Sequence, residues 1–591
     1  MPGEELQLKR NRRTVRLELH LCIALAWQVS APGVPVSLSQ VSPWKKVVLS
    51  ISIVIFVDAR VGLGRMVDVA GDFAPNNALV KGLLTDMYQL TMAYAYWNCN
   101  RHEEPAVFEA FFRKNPFKGE FTIFAGLEEV LRYVSSLRFS ENDISYLKTA
   151  FPATTKPEFF EWLGQIDASQ VKIYALKEGS VAFPRVPVIR VEGPLGVAQI
   201  METAILNLTN FASLVATNAQ RMRLAAGLDK TLLEFGLRRA QGPDGAISAS
   251  RYSYLGGFDG TSNCLAGSIF GIAIKGTQAH AFVTSFQGPE NLNTTKLDGK
   301  EFWSVVTGYR KKLGFNASKE CELAAFTSYA QSFPTAFLAL VDTYDTIVSG
   351  IPNYICVALA LKEFGYKPLG VRLDSGDLSY LSLKARELLN LQGLEDSIIV
   401  ASNDINEQVL HSLEKEGHAI DSFGIGTNLV TCQAQPALGM VYKLVECNGV
   451  ACIKLSNEFE KVTIPGRKHV YRLFGETGLA LCDLIVRQDE PPPEPGMRVL
   501  CQHPVNDYTR CFVRPSRVEN LHQLFFENGK LVEPIPNLQD SRNYRASQIE
   551  LVRADIKRSL NPAEYKVSLS KSLHEFVKQM WSKQAPIAEV F

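Results

Sequence analysis

The stretch from 272 to 428 constrains the fold most, because apolar strand-like runs alternate there with helical patterns. Ile272-Ala273-Ile274 leads into Gly276-Thr277-Gln278-Ala279-His280. Phe337 to Val341 is continuously apolar and leads into Asp342-Thr343-Tyr344, then a predicted helix over 352–364. Leu369-Gly370-Val371-Arg372-Leu373 leads into Asp374-Ser375-Gly376-Asp377 and a helix to 391. The run 398–401 leads into Ser402-Asn403-Asp404 and a helix to 416, and 420–425 leads into Gly426-Thr427-Asn428. Buried strands that alternate with helices form a parallel sheet. The rhythm leaves two closures open, a doubly wound sheet and a barrel.

Each of these strands ends in small or polar residues. In a parallel barrel the chemistry gathers at the carboxyl ends of the strands. That placement would bring His280, Asp342, Arg372, Asp374, Asn403 and Thr427 to one mouth. Helix caps alone also favour Asp, Ser, Asn and Gly at such exits. Caps do not account for an arginine and a histidine in the set.

The string Gly370 to Asp377 is the sharpest. Arg372, fixed on a strand, suits a carboxylate or phosphate partner. Asp374 and Asp377 suit a divalent cation held jointly with a diphosphate. Ser375 and Gly376 offer backbone amides to an anion. The plainer reading is a structural Arg–Asp pair beside a capped helix. Gly424-Ile425-Gly426-Thr427 is a second glycine-containing exit, where small residues let a phosphate approach the backbone and Thr427 adds a hydroxyl. It is not G-x-G-x-x-G, since Leu429 holds the last position, and no G-x-x-x-x-G-K-[ST] string occurs. His280 suits a general base or a phosphoryl acceptor; a lone histidine is otherwise a satisfied core residue.

Around this region the chain is mixed. Helices are predicted over 83–97 (capped by Thr85 or Asp86), 126–137, 159–166, 200–226 and 230–240, and strands over 106–112, 171–174 and 186–191. Phe235 and Arg238-Arg239 close the 230–240 pattern, a pairing that suits an aromatic ring and an anion. Residues 286–303 read as a polar flap beside the site. Further on, strands are predicted over 440–446, 452–455 and 470–474, and helices over 550–560 and 569–581.

Lys plus Arg number 62 and Asp plus Glu 61, so no bulk charge points to nucleic acid or a membrane. The 11 cysteines form no C-x-x-C pair and none lies at zinc spacing with histidine, which suits small buried hydrophobes in a reducing, cytoplasmic setting. Asn207, Asn293 and Asn316 open N-x-[ST] triplets, read here as unmodified. The apolar runs 19–27 and 47–57 are too short to span a bilayer. Residues 1–65 are therefore expected to be a poorly structured extension, with an ordinary soluble N-terminus from Met66.

Several strings together resemble the nicotinate phosphoribosyltransferase family, of the animal type. They are Leu84-Thr85-Asp86-Met87-Tyr88-Gln89, the stretch Phe235 to Gly245, Tyr254 to Asp259, Gly276 to His280, Val371 to Asp377 and Gly424 to Thr427. They keep the family's order and spacing, and the resemblance runs from about Leu83 to the C-terminus. It implies a type II phosphoribosyltransferase fold: an irregular parallel α/β barrel with a second, smaller α/β domain. The implied organisation is a first part of the smaller domain over 66–200, the barrel over 201–430, a return to the smaller domain over 431–535, and a helical segment over 536–591.

The resemblance further implies a homodimer with shared active sites. The reaction joins nicotinate to phosphoribosyl pyrophosphate, with ATP as co-substrate and magnesium or manganese assisting. His280 matches the phosphorylated histidine, and Tyr88 matches a base-contacting tyrosine from the neighbouring subunit. Thr277 and Arg372 match nicotinate-binding positions, and Thr427 with Gly426 a phosphoribosyl pyrophosphate contact. Phe235 would stack the base. Arg238, Ser375 and Gly376 would hold phosphate, and Asp374 would face ribose or metal. Two rivals remain at this point: another base (nicotinamide or quinolinate), and a non-catalytic relative, against which intact His280, Arg372 and Asp374 argue.

Overall fold

A computed structural model describes residues 73–587 apart from 457, 459 and 460, together with residue 589. The expected extension over 1–65 and the start at Met66 lie outside the described residues.

Six parallel strands carry the alternating region: β1 (Thr231–Glu234), β2 (Gly260–Thr261), β3 (Leu338–Leu340), β4 (Gly370–Leu373), β5 (Ile398–Ser402) and β6 (Ser422–Ile425). Their order is β3-β4-β5-β6-β1-β2. Beyond β2, Thr261 bridges to Ile274 in parallel. Beyond β3, the Gln278 carboxamide donates to the Leu338 carbonyl (2.8 Å) and accepts from the Leu340 amide (3.2 Å). Segment 274–278 therefore runs between the two free edges of the sheet. The strands are short and apolar because both faces are covered: β3 and β6 are buried throughout. Helix Ile351–Glu363 follows β3, Leu378–Leu391 follows β4 and Glu407–Glu416 follows β5, close to the expected spans. The long helix Glu202–Ala226 packs on helix Gly242–Leu255.

Two further sheets flank this unit in sequence. A seven-stranded sheet combines Pro105–Phe112, Lys172–Ala175 and Pro187–Pro194 with Met440–Cys447, Val450–Ala451, Gln523–Glu527 and Lys530–Leu531, so strands from both sides of the parallel region pair in one sheet. A six-stranded sheet takes the strands between 468 and 520 plus Lys566–Leu569.

Several expected elements differ. The helix expected over 230–240 is β1 followed by the 3₁₀ turn Leu237–Arg239. Short apolar runs such as Leu232-Leu233 do not distinguish strand from helix by periodicity. Here Glu234 fixes the outcome. Its buried carboxylate accepts from the Gly236 amide, Ser250 Oγ (2.8 Å) and Thr261 Oγ1 (2.5 Å). Residues 286–303 are no plain flap: Pro289–Asn291 is a 3₁₀ turn, and Lys296–Leu297 pairs with Lys300–Glu301 across Asp298-Gly299, both at positive φ. The expected strand over 452–455 is only Val450–Ala451. In the C-terminal segment, a helix starts at 538, where Asn537 accepts from the Asp540 amide (2.9 Å), and ends at 550. Residues 551–560 are turns whose buried Val552 and Ile556 imitate helical spacing. Strand Lys566–Leu569 then interrupts the expected helical segment before helix Lys571–Gln584.

Candidate active site

Arg372 is the hub of the strand ends. It is the third residue of β4, level with Leu340 of β3 and Val400 of β5. Its Nε donates to Ser402 Oγ at the end of β5 (2.8 Å), and Nη1 donates to Thr277 Oγ1 (3.1 Å). Nη2 lies 3.4 Å from Asp374 Oδ1, which also accepts from Ser402 Oγ. The Phe235 ring, just beyond β1, is 5.8 Å from the guanidinium carbon. Three partners fix the fork, so its orientation is set before any ligand arrives.

Phe235 is held as firmly. Its amide donates to the Ile425 carbonyl (2.8 Å), and its ring lies against Gly424, where a Cβ would fall 2.4 Å from Cδ2 and 2.5 Å from Cε2. Only glycine at 424 gives the ring this seat.

His280 opens the short helix His280–Thr284. Nδ1 is 3.1 Å from Thr343 Oγ1, and Nε2 is 3.8 Å from both Asp342 Oδ1 and Asp374 Oδ2. When Nδ1–H donates to the threonine, Nε2 holds a lone pair; when Nδ1 accepts, Nε2–H points at the carboxylates. The imidazole is 44% exposed, whereas the Asp342 side chain is 4% exposed. Asp342 Oδ2 accepts from Ser375 Oγ (2.5 Å), while the buried Oδ1 has no hydrogen-bond partner. Behind this pair stands Glu322, buried in helix Glu320–Ser332 and accepting from Ser349 Oγ (2.5 Å) and Asn353 Nδ2 (2.9 Å). Burial pushes its carboxyl up to about 7, against the pull of those two hydrogen bonds.

The second cluster sits at the end of β6. Thr427 begins helix Thr427–Thr431, with Gly426 before it, and its Oγ1 accepts from Arg239 Nη1 (3.1 Å). Arg239 Nη1 also lies 3.8 Å from Asp404 Oδ1. The arginine that meets Thr427 is thus Arg239, while Arg238 stands exposed in the same turn. Gly376 reverses the chain at φ +78° beside Ser375.

One expected placement differs. Asp377, paired in the sequence reading with Asp374, instead caps helix Leu378–Leu391 by accepting from the Tyr380 amide (3.1 Å). Tyr88, half-exposed on helix Met87–Asn98, lies near Glu202 and Asp86, and burial first and then those charges raise its phenol above the usual range. Among the described residues, no hydrogen bond, ion pair or ring contact joins Tyr88 to Arg372 or His280.

Among the described residues, no three or more His, Cys, Asp or Glu side chains gather into a cage for a metal. Asp342 Oδ1 and Asp374 Oδ2 nonetheless face the same imidazole nitrogen. Two carboxylates fit a hard divalent ion that keeps water and phosphate ligands.

A parallel α/β unit whose strand ends gather an Arg–Thr pair, an acid-flanked histidine and a Gly-Thr helix start accords with the type II phosphoribosyltransferase fold that the sequence resembles. The comparisons with known proteins agree. Residues 83–210 match the profile of the nicotinate phosphoribosyltransferase (NAPRTase) N-terminal domain, and residues 467–577 match that of the C-terminal domain. The nicotinate phosphoribosyltransferase of Dictyostelium discoideum is 53% identical over 535 residues, 87% of this chain and 91% of that one. The enzyme of that name from Homo sapiens is 44% identical over 529 residues, 86% of this chain and 98% of that one. A crystal structure of human nicotinic acid phosphoribosyltransferase superposes with a TM-score of 0.76 at 40% identity, covering 84% of this chain and 99% of that one. A nicotinate-nucleotide pyrophosphorylase from Pyrococcus furiosus shares the fold, with a TM-score of 0.55 at 22% identity over 80% of this chain and 95% of that one. The chain belongs to the nicotinate phosphoribosyltransferase family.

Proposed function

We infer that this chain joins nicotinate to phosphoribosyl pyrophosphate, giving nicotinate mononucleotide and pyrophosphate. The observation that carries this reading is Arg372, locked by Ser402, Thr277 and Asp374 at the strand ends of a chain 53% identical to an enzyme named for that reaction. The nicotinate carboxylate meets the Arg372 fork and the Thr277 hydroxyl, and the Phe235 ring stacks on the pyridine. The pyridine nitrogen then attacks the ribose C1 carbon as the bond to pyrophosphate breaks, so no protein nucleophile acts at C1. Negative charge grows on the leaving group, and donors already aimed at it stabilise that charge most in the transition state. Thr427, Gly426, Arg239 and Arg238 serve the phosphate of the ribosyl donor. Ser375 and Gly376 face its diphosphate.

Magnesium or manganese, bound through Asp374 and Asp342, would supply charge neutralisation on that diphosphate. His280 accepts the phosphoryl group of ATP at Nε2: the new N–P bond replaces the bond to the leaving ADP, and hydrolysis returns phosphate. A phosphoryl group on Nε2 would compete with the diphosphate for the cation that Asp342 and Asp374 would hold, which gives the phosphoenzyme a reason to rearrange the site and release pyrophosphate. The active unit is a homodimer to which Tyr88 contributes from the neighbouring subunit; its half-exposed position away from the His280 cluster supports that role. No helix among the described residues is long and apolar enough to cross a membrane, and a cytosolic site of action accords with the free cysteines.

The test is direct. The protein is incubated with phosphoribosyl pyrophosphate and, separately, nicotinate, nicotinamide or quinolinate, and the mononucleotide formed is identified by mass. Nicotinate mononucleotide is expected as the main product. A preference for either other base would overturn the reading.

A further inference from the structure

A cavity of about 300 Å³ opens between helix Glu202–Ala226, helix Glu407–Glu416 and the turn 557–560. It uses none of the residues placed at the active site. Arg221, Lys557 and Arg558 line it against a single carboxylate, Glu407, with His411 alongside. Three cations against one anion leave the lining positive when His411 is neutral, with Glu550 offsetting part of the Lys557 charge from outside it.

The site is built. Arg221 is buried, with its side chain 5% exposed. Its Nε donates to Glu407 Oε2 (2.9 Å) and its Nη2 to the Ser559 carbonyl (3.3 Å). The remaining Nη1 rests against Gly119, where a Cβ would fall 2.4 Å away. Lys557 Nζ donates to the Ile549 carbonyl (3.1 Å), and Arg558 Nε to the Asp555 carbonyl (3.1 Å). Those carbonyls position the two side chains without neutralising them. The nearby acid Asp555 is taken by Arg553, at 3.0 and 2.8 Å. Burial lowers the Lys557 ammonium below its ordinary range, so a bound anion would relieve it. Leu224 and Leu560, both exposed, add an apolar wall.

We propose that this cavity is a second anion subsite, which takes the phosphate dianion of a small phosphomonoester the size of a nucleoside monophosphate. The excess positive charge of the lining suits a phosphate anion. Lys557 and Arg558, each held by a backbone carbonyl, keep further N–H donors for its tetrahedral oxygens, and Arg221, committed to Glu407 and Ser559, adds fixed positive charge behind them. The volume is at the lower end of the ~300–1,000 Å³ typical of small-ligand sites. Leu224 and Leu560 give the organic body a place that inorganic phosphate does not use.

The experiment is equilibrium dialysis of the full chain with labelled inorganic phosphate and with AMP, in three proteins: wild type, Arg239→Ala/Thr427→Val, and Lys557→Ala/Arg558→Ala. The active site also binds phosphate, and the first variant removes that contribution. It is expected to keep one AMP per chain. The second variant is expected to lose affinity at that site at least tenfold while its turnover in phosphate-free buffer stays at the wild-type value. Arg558→Glu, a single surface change, is expected to do the same. Full AMP binding in Lys557→Ala/Arg558→Ala, or none in Arg239→Ala/Thr427→Val, would overturn the proposal. AMP is expected to bind at least tenfold more tightly than inorganic phosphate; equal affinity would overturn the assignment to a phosphomonoester.

Discussion

Replacing Gly424 by alanine puts a methyl group inside the seat of the Phe235 ring. The new Cβ would lie 2.4 Å from Cδ2 and 2.5 Å from Cε2. Carbon atoms rest at about 3.5–4.0 Å, so the ring edge must retreat by roughly 1–1.5 Å. The backbone cannot take up that shift. The Phe235 amide is bonded to the carbonyl of Ile425, the residue next to the substitution (2.8 Å). The ring therefore swings, and its 5.8 Å relation to Arg372 is lost. Overpacking of this kind costs about 1–3 kcal/mol of stability. A misplacement of about 1 Å in a positioning group costs on the order of 100-fold in rate. Gly424→Ala is expected to lower kcat/KM for nicotinate by about 10- to 100-fold, with a raised KM, in steady-state assays at saturating phosphoribosyl pyrophosphate. Gly308→Ala is the control, because nothing lies within 4 Å of its Cβ. Removing the ring as well, in Gly424→Ala/Phe235→Ala, should recover part of the lost stability in urea titrations, since the clash has then gone. A Gly424→Ala enzyme with wild-type kinetics and stability would refute the placement of the ring.

His280→Ala should abolish the acid-labile phosphoenzyme and the stimulation by ATP while leaving slow ATP-independent synthesis; labelled phosphate that persists on the protein would assign the acceptor elsewhere. Tyr88→Ala and His280→Ala chains, each lacking ATP-stimulated synthesis alone, should regain it when mixed as heterodimers, because one of the two shared sites is then intact, and a fully active monomer in sedimentation would contradict sharing. Glu322 holds its proton up to about pH 7 in the fold against an ordinary 4.5. The folded chain thus binds the extra proton between those values, and stability falls as pH rises through the window, by at most about 3 kcal/mol. Glu322→Gln should flatten that fall in urea midpoints measured at pH 5 and 7.5, and an unchanged slope would show that another group is responsible.

The strand exits were legible because parallel strands announce themselves as short apolar runs, and because chemistry at their ends needs residues that packing does not. Arg372, Thr277, His280 and Asp374 do meet. β1 was not legible. Leu232-Leu233 carries no period, and the interaction that makes it a strand, Glu234 with Ser250 and Thr261, is remote in sequence. The same distance hid which of the paired arginines reaches Thr427, since a 3₁₀ turn rather than a helix sets the direction of Arg239. Asp377 looked like a ligand because cap residues and metal ligands share a chemistry. Glu322 gave no sign at all. One acid beside Leu323 on a helix looks solvated until helix packing buries it.

The most direct test of the central claim, that the anchored Arg372 fork reads the nicotinate carboxylate, compares kcat/KM for nicotinate and for nicotinamide in wild type and in Arg372→Ala. Damage to Asp374 or Ser402 affects both bases alike and divides out of the ratio. A charged hydrogen bond contributes about 1.5–3 kcal/mol, so the preference for nicotinate should drop by roughly 10- to 100-fold. A preference left unchanged by the substitution would contradict the account.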